Sequence, residues 1–405
     1  MATIIIISLT IMVLLFFACK MGDLFSPWML TTGVWLAIVF MSMYSGEWLE
    51  PVGNQFFMCL ILWVPILVAF STATYYALPA RYHSFKNDDT DLNRGVFMFF
   101  FIIAVVCTPY FVYKVYKIVM MFGTEDLFAN IRSLAILQSQ TGGSDGILKY
   151  VNTINKALYV VSLWYINKTG KMVYFIVLVI NLLYAIAIME KSFLFFLIFS
   201  TLFILYEKQK VQMRTIFIGS ALVIVLFYGI NLVRSNVDVE DYNTFGTFFS
   251  MYILSPAVAF GKTQEFLTDQ FGTRSFTFLY SFANKLFSTN YEIVSKLQEF
   301  VWIPIPTNVY TVFQPFFEDF GYKGVAFFAS VYGVITGYLY RMFKNGGQIM
   351  RCVYAYIVYV LILQFFQENL IISISDLIQY FIIFGLMFQN KISVSFKGFF
   401  KENEK

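Results

Sequence analysis

The chain has 405 residues, of which 59% are hydrophobic, 20% aromatic and only 13% charged, with a mean hydropathy of +0.70. That excess of apolar side chains is beyond what the core of a soluble domain takes up, so composition excludes a soluble globular protein and points to a chain that crosses a membrane many times. The formal net charge of +4 suits basic cytoplasmic connectors and gives no argument for a nucleic-acid partner.

A membrane-crossing helix needs about 20 apolar residues, and about eleven candidates are present. They lie near 2–19, 28–46, 56–78, 95–117, 155–167, 172–189, 192–206, 214–231, 322–341, 351–367 and 371–389. The fold class predicted is therefore an all-α polytopic membrane protein. The first segment, MATIIIISLTIMVLLFFACK, has no lysine or arginine ahead of its apolar run, so it reads as a retained helix and not as a cleaved signal.

Orientation follows from the basic residues of short connectors. Lys208, Lys210 and Arg214 mark one cytoplasmic turn, Arg341, Lys344 and Arg351 a second, Lys168 and Lys171 a third, and Lys391, Lys397 and Lys401 the tail. Arg81, Lys86 and Arg94 fall on the same side, giving an outer N-terminus and an inner C-terminus, while Lys114 and Lys117 dissent. The regions predicted are N-terminal helices (1–117), a first outer loop (118–154), central helices (155–231), a large outer loop (232–321), and C-terminal helices with a cytoplasmic tail (322–405). An outer loop of about 90 residues is far longer than a connector needs and marks function.

Both outer loops carry structure. In TEDLFANIRSLAILQSQTGG, Thr124 can cap a helix that Gly142 and Gly143 end, with Arg132 well off its apolar stripe. In the second, FTFLYSFANKLF (276–287) is too short to span but apolar enough to lie in the headgroup layer.

The cysteines Cys19, Cys59, Cys107 and Cys352 lie in apolar segments without CxxC spacing, and the one histidine, His83, lies in a polar connector. The cysteines read as small buried hydrophobes, and zinc clusters or a histidine-dependent nucleophile have no residues to use. There is no P-loop, GxGxxG after a strand, or HExxH. Neither a metal, a nucleotide nor a cofactor is predicted.

Basic residues on the outer side run against the orienting bias, so each asks for a reason. Arg132, Arg234, Arg274 and Lys191 are the candidates. Arg234 follows YGINLV at headgroup depth, where a guanidinium binds phosphate with two hydrogen bonds. The structural alternatives are a snorkelling Arg234, solvated helix faces for Arg132 and Arg274, and a polar turn for Lys191.

Glu318 and Asp319 stand where the long loop re-enters the membrane, beside Gly321 and Gly324. A carboxylate in a partly dry site has a raised pKa and can take a proton from a sugar hydroxyl. The alternative is that either acid caps the helix starting near Tyr322. Around them Tyr310, Phe313, Phe316, Phe317 and Trp302 are expected to be mostly interfacial anchors, with a minority stacking on sugar; Tyr310 is carried as a candidate binding residue.

The loop opening on arginine (YGINLVRSN), the YILSPAVAF segment and the closing NVYTVFQPFFEDFGYKGV, on this two-loop layout, resemble the Wzy-type O-antigen and oligosaccharide repeat-unit polymerases. The resemblance in layout covers most of the chain; the motifs are confined to 228–236, 252–260 and 308–324. It implies a GT-C-like fold in the bacterial inner membrane and a site facing the periplasm. It also implies a substrate carried on undecaprenyl diphosphate, transferred from one lipid carrier to the next repeat unit, with membrane lipids and a polysaccharide chain-length regulator as partners. In that family arginines of the outer loops are tied to activity, and Arg132, Arg234 and Arg274 fall in corresponding regions, while Lys191 stands where an arginine is common. Joined to the physical reading, this gives the arginines the charge that grows on the diphosphate and gives Glu318, secondarily Asp319, the activation or positioning of the acceptor. Two other readings stay open. The related O-antigen ligases typically use a histidine in the large outer loop, which is absent here; a lipid-linked oligosaccharide flippase would favour short loops and mid-span charges.

Overall fold

The computed structural model describes residues 1–43, 49–80, 92–122, 146–188, 191–209, 214, 218, 245–265, 269–294, 298–304 and 306–389. Their regular secondary structure is helical, apart from a two-residue antiparallel pairing of Val301–Trp302 with Pro306–Thr307. The helices are α1 (Ala2–Ala18), α2 (Pro27–Ser42), α3 (Asn54–Ala77), α4 (Arg94–Val119), α5 (Gly146–Trp164), α6 (Ile166–Thr169), α7 (Lys171–Ile188), α8 (Lys191–Glu207), α9 (Phe245–Phe260), α10 (Thr277–Phe287), α11 (Gln314–Lys344), α12 (Gln348–Ile362) and α13 (Ile374–Met387). Asn54–Ala77, Arg94–Lys117 and Gln348–Phe365 are each long and apolar enough to cross a membrane, and α1, α2, α7, α8 and α13 supply shorter apolar helices. Ile4, Ile7, Ile11 and Leu14 leave one side of α1 exposed and greasy, a surface that lipid suits and water does not.

The expected spans and the helices coincide closely at α1, α3 and α4. α5 begins at Gly146, well before the apolar stretch at 155, because Lys149, Asn152 and Thr153 interrupt the hydropathy without interrupting the helix. The expected span 214–231 lies outside the described residues apart from 214 and 218.

The chain divides into two compact units. In the first (1–81, 205–345 and 356–375), α3 and α11 form the central pair. A Cβ built on Gly333 would lie 2.7 Å from the Leu67 carbonyl oxygen, and one on Gly337 would fall on the Ser71 carbonyl and 2.9 Å from its Cα. The Gly-x-x-x-Gly spacing of Gly333 and Gly337 thus lets two backbones touch, the usual device where apolar side chains gain nothing by leaving lipid.

A fully buried amide ties further elements to that pair. Trp35 on α2 and Trp63 on α3 both donate their indole N–H to Gln364 Oε1 (3.2 and 2.8 Å), and Gln364 Nε2 donates to Thr31 Oγ1 and the Leu361 carbonyl (3.0 Å each). The Gln364 carbonyl accepts the Val312 N–H at 2.8 Å, just before α11. Nearby, the buried carboxylate of Glu368 accepts the Tyr332 hydroxyl and the N–H groups of Leu370, Ile371 and Ile372 (2.8, 2.6 and 2.8 Å). Glu368 is therefore the centre of a turn.

At one end of this unit Lys344 pairs with Asp23 (2.7 Å) and Glu207 (3.5 Å), and Arg341 donates to the Leu78 carbonyl. At the other end Gly53 abuts Gly261, and Gln55 donates to the Thr263 carbonyl at 3.0 Å. In the second unit (82–204, 346–355 and 376–405), Phe111 stacks on Tyr184 at 4.0 Å, Asn181 donates to the Asn155 carbonyl at 3.1 Å, and Asn93 joins α4 to the end of α13.

The α3–α11 contact makes a direct prediction. Gly337→Val destabilises the protein by about 1–3 kcal/mol through overpacking, lowering its unfolding temperature in detergent. Gly33→Ala, where a Cβ meets nothing within 4 Å among the described residues, leaves it unchanged or slightly raised.

Candidate functional site

α11 is two helices in one. Gly321 breaks it with φ 60° and ψ −150°, a conformation open to glycine, and a side chain there would also run into Glu265. The short first piece, 314–320, carries Gln314 and Glu318 one turn apart on the same face. Phe313, just ahead of it, stacks on Trp35 (4.9 Å) and meets Trp63 and Phe260 edge-on; Phe316 stacks on Trp63 at 5.9 Å. These phenylalanines are buried core, not the interfacial anchors expected, and only Trp302 at 68% exposure stands out in the open. The aromatic packing fixes one side of the short helix and so directs the other, Gln314 and Glu318, into a polar cavity.

The cavity has a volume of about 100 Å³ and is walled chiefly by Arg274, Gln298, Gln314, Glu318, Tyr310 and Lys262. At ~30 Å³ per water it takes a few waters or one small polar group of a larger ligand. Arg274 Nε forms an ion pair with Glu318 Oε2, both side chains largely buried. Arg274 NH1 donates to Gln298 Oε1 at 2.7 Å, and Gln314 Nε2 donates to Gln298 Oε1 (2.9 Å) and to Glu318 Oε1 (2.8 Å). Lys262 holds the rim through Glu50 and the Trp302 carbonyl, each at 2.8 Å, and Tyr310 donates its hydroxyl to the Glu299 carbonyl at 3.0 Å.

Asp319 faces away from this group. Its two carboxylate oxygens accept the backbone N–H groups of Arg274 (3.2 Å) and Ser275 (2.6 Å), in the turn that leads into α10. It therefore holds the segment that presents Arg274. Burial pushes the Glu318 carboxyl up from its ordinary value; the Arg274 guanidinium and the Gln314 amide pull against that, and the charge of Asp319 adds to the rise. Burial likewise raises the Tyr310 phenol.

Of the residues selected from the sequence, Arg274, Glu318, Asp319 and Tyr310 come together here. Arg132 and Arg234 lie outside the described residues, and Lys191 opens α8 with its side chain outside them. Sequence reasoning missed Lys262, Gln298 and Gln314. Lys262 carried the same signal as Arg274, a basic residue in the long connector, and Gln314 stands one helical turn before Glu318; Gln298 carried none. α10 leaves Leu279, Phe282 and Leu286 exposed along one side, the surface its apolar sequence suggested.

The arrangement offers a fixed guanidinium for a negative charge, a carboxylate with raised proton affinity beside it, and carboxamides suited to hydroxyl groups. Over 137 residues, 33% of its length, the chain is 31% identical to a protein of Escherichia coli (strain K12) described as "Putative O-antigen polymerase". The matched stretch spans 33% of that relative. No family model matches the chain, and no solved structure matches it. The similarity suggests, for a third of the chain, kinship with the O-antigen polymerases.

Asp319→Asn places an amide N–H₂ against one of two backbone donors and costs about 1–3 kcal/mol of stability. Arg274→Ala keeps both donors, but the two residues touch, so in unfolding measurements their costs couple and the double variant departs from the sum. If both act on activity through the guanidinium, their effects on activity do not add, and the double variant is as inactive as Arg274→Ala alone.

Proposed function

We propose that the chain is a glycosyltransferase that polymerises oligosaccharide repeat units carried on undecaprenyl diphosphate. The observation that carries this reading is the Arg274–Glu318 cavity, joined by the similarity to the E. coli protein described as an O-antigen polymerase. In this reading the fold is GT-C-like with about eleven crossings, and the protein sits in the bacterial inner membrane. The end holding Lys344 and Arg341 faces the cytoplasm, and the cavity faces the periplasm, where lipid-linked units are the activated substrate.

The donor already bears its leaving group, so the protein must stabilise growing charge and move one proton. The glycosidic carbon–oxygen bond to the diphosphate breaks with its electron pair leaving on the diphosphate, and the acceptor hydroxyl oxygen forms the new bond. Arg274, with Lys262 at the rim and Arg234 as a further cation, neutralises the departing diphosphate. Glu318 accepts the proton of the acceptor hydroxyl, and a raised proton affinity suits it to that role. Gln298, Gln314 and Tyr310 position sugar hydroxyls, Asp319 holds Arg274 in place, and a chain-length regulator is the partner expected beside the protein.

Deleting the gene in its bacterium and separating the surface polysaccharide on a gel tests this. The long-chain ladder disappears while a single repeat unit remains on the lipid core. Complementation with Arg274→Ala lowers polymer by roughly 100-fold at normal protein level, and Glu318→Gln does likewise. A full ladder in the deleted strain overturns the polymerase reading; loss of even the single unit assigns the step to export or ligation.

A further inference from the structure

Arg274 and Glu318 are held very differently. The arginine is anchored at its backbone by Asp319 and at NH1 by Gln298, neither of which involves Glu318. The glutamate is held by Gln314 at one oxygen and by the guanidinium at the other. Gln314 in turn is tied to Gln298. If Glu318 swings away, the guanidinium keeps its position and its frame; if the guanidinium were lost, Glu318 would be left as a largely buried charge with one amide for company.

We propose that Glu318 is a built-in stand-in anion, which occupies Arg274 until a diphosphate enters the cavity and takes its place on the guanidinium. The proposal rests on reading the cavity as the diphosphate site. A diphosphate brings more charge and more acceptor oxygens than a carboxylate, so the exchange favours the ligand. The stand-in keeps the guanidinium compensated between turnovers, since a buried cation without a partner is costly. Exchange also delivers Glu318, newly unpaired, beside the bound donor, where an acceptor hydroxyl would arrive. Site assembly and donor binding thereby become one event.

The exchange predicts an unusual pair of effects. A substitution that removes the charge of Glu318 removes a competitor, so binding tightens while transfer fails. A residue that merely supports Arg274 would weaken binding when lost.

The test uses the full-length purified protein in detergent, titrated with farnesyl diphosphate as a short-chain probe. Glu318→Gln, which keeps an oxygen and a similar shape, binds the probe about tenfold more tightly than wild type, equivalent to about 1.4 kcal/mol. Arg274→Gln loses binding. Inorganic pyrophosphate competes with the probe, whereas farnesol does not. Glu318→Asp, which draws the charge back from the guanidinium, tightens binding less, and it decides the matter if the glutamine variant fails to fold. Equal or weaker binding by the folded Glu318 variants overturns the stand-in. Competition by farnesol with no effect of Arg274→Gln overturns it too, by moving the probe to a tail site. The two readings part cleanly: an intact ladder in the deleted strain removes the polymerase and leaves the exchange measurable, while unchanged affinity removes the exchange and leaves the polymerase standing.

Discussion

The first unit depends on one buried amide. Gln364 is 0% exposed, and burying a carboxamide costs several kcal/mol unless each of its polar atoms finds a partner. Here Trp35, Trp63, Thr31 and the Leu361 carbonyl satisfy the side chain, and Val312 satisfies its backbone carbonyl. Those partners come from α2, α3 and the approach to α11, so the cost of burial becomes a geometric constraint on three elements at once. Phe313 then stacks on Trp35 and meets Trp63 edge-on, and the short helix carrying Gln314 and Glu318 has one way to sit.

From that constraint the polar site follows by subtraction. The phenylalanines of residues 313–317 claim the core side, the close contact of Gly333 and Gly337 with α3 sets the depth of α11, and the break at Gly321 lets its first turn tilt away from the rest. What remains on the free face is a glutamine and a glutamate. Opposite them a separate stretch of chain delivers Arg274, held at its backbone by the neighbouring acid, Asp319. Adjacent carboxylates thus do two different jobs because successive helical residues point in different directions.

Much of this was legible in the sequence, for identifiable reasons. A run of 20 apolar residues has few solutions in lipid, so α3 and α4 could be read directly. Glu318 and Asp319 stood out as charges at the edge of such a run, and Arg274 as a cation in a loop expected on the side that cations avoid. Gly321 announced a turn. The pairing of Arg274 with Glu318 was not legible, because it joins distant parts of the chain through tertiary packing alone. Nor was Gln364: one glutamine in LILQFFQENL has no motif, and its role exists only once two tryptophans from other helices converge on it. The burial of Phe313 and Phe316 escaped notice for the opposite reason, since aromatic residues beside charges look the same whether they face headgroups or a core.

On the proposed function, the cavity beneath Arg274 receives the diphosphate of a lipid-linked glycan. A structure of the full-length protein in lipid nanodiscs with an undecaprenyl-diphosphate-linked repeat unit tests it most directly. Phosphate oxygens are expected within hydrogen-bonding distance of the Arg274 guanidinium, with the Glu318 carboxylate withdrawn from it. A diphosphate bound elsewhere, with the Arg274–Glu318 pair intact, would contradict it.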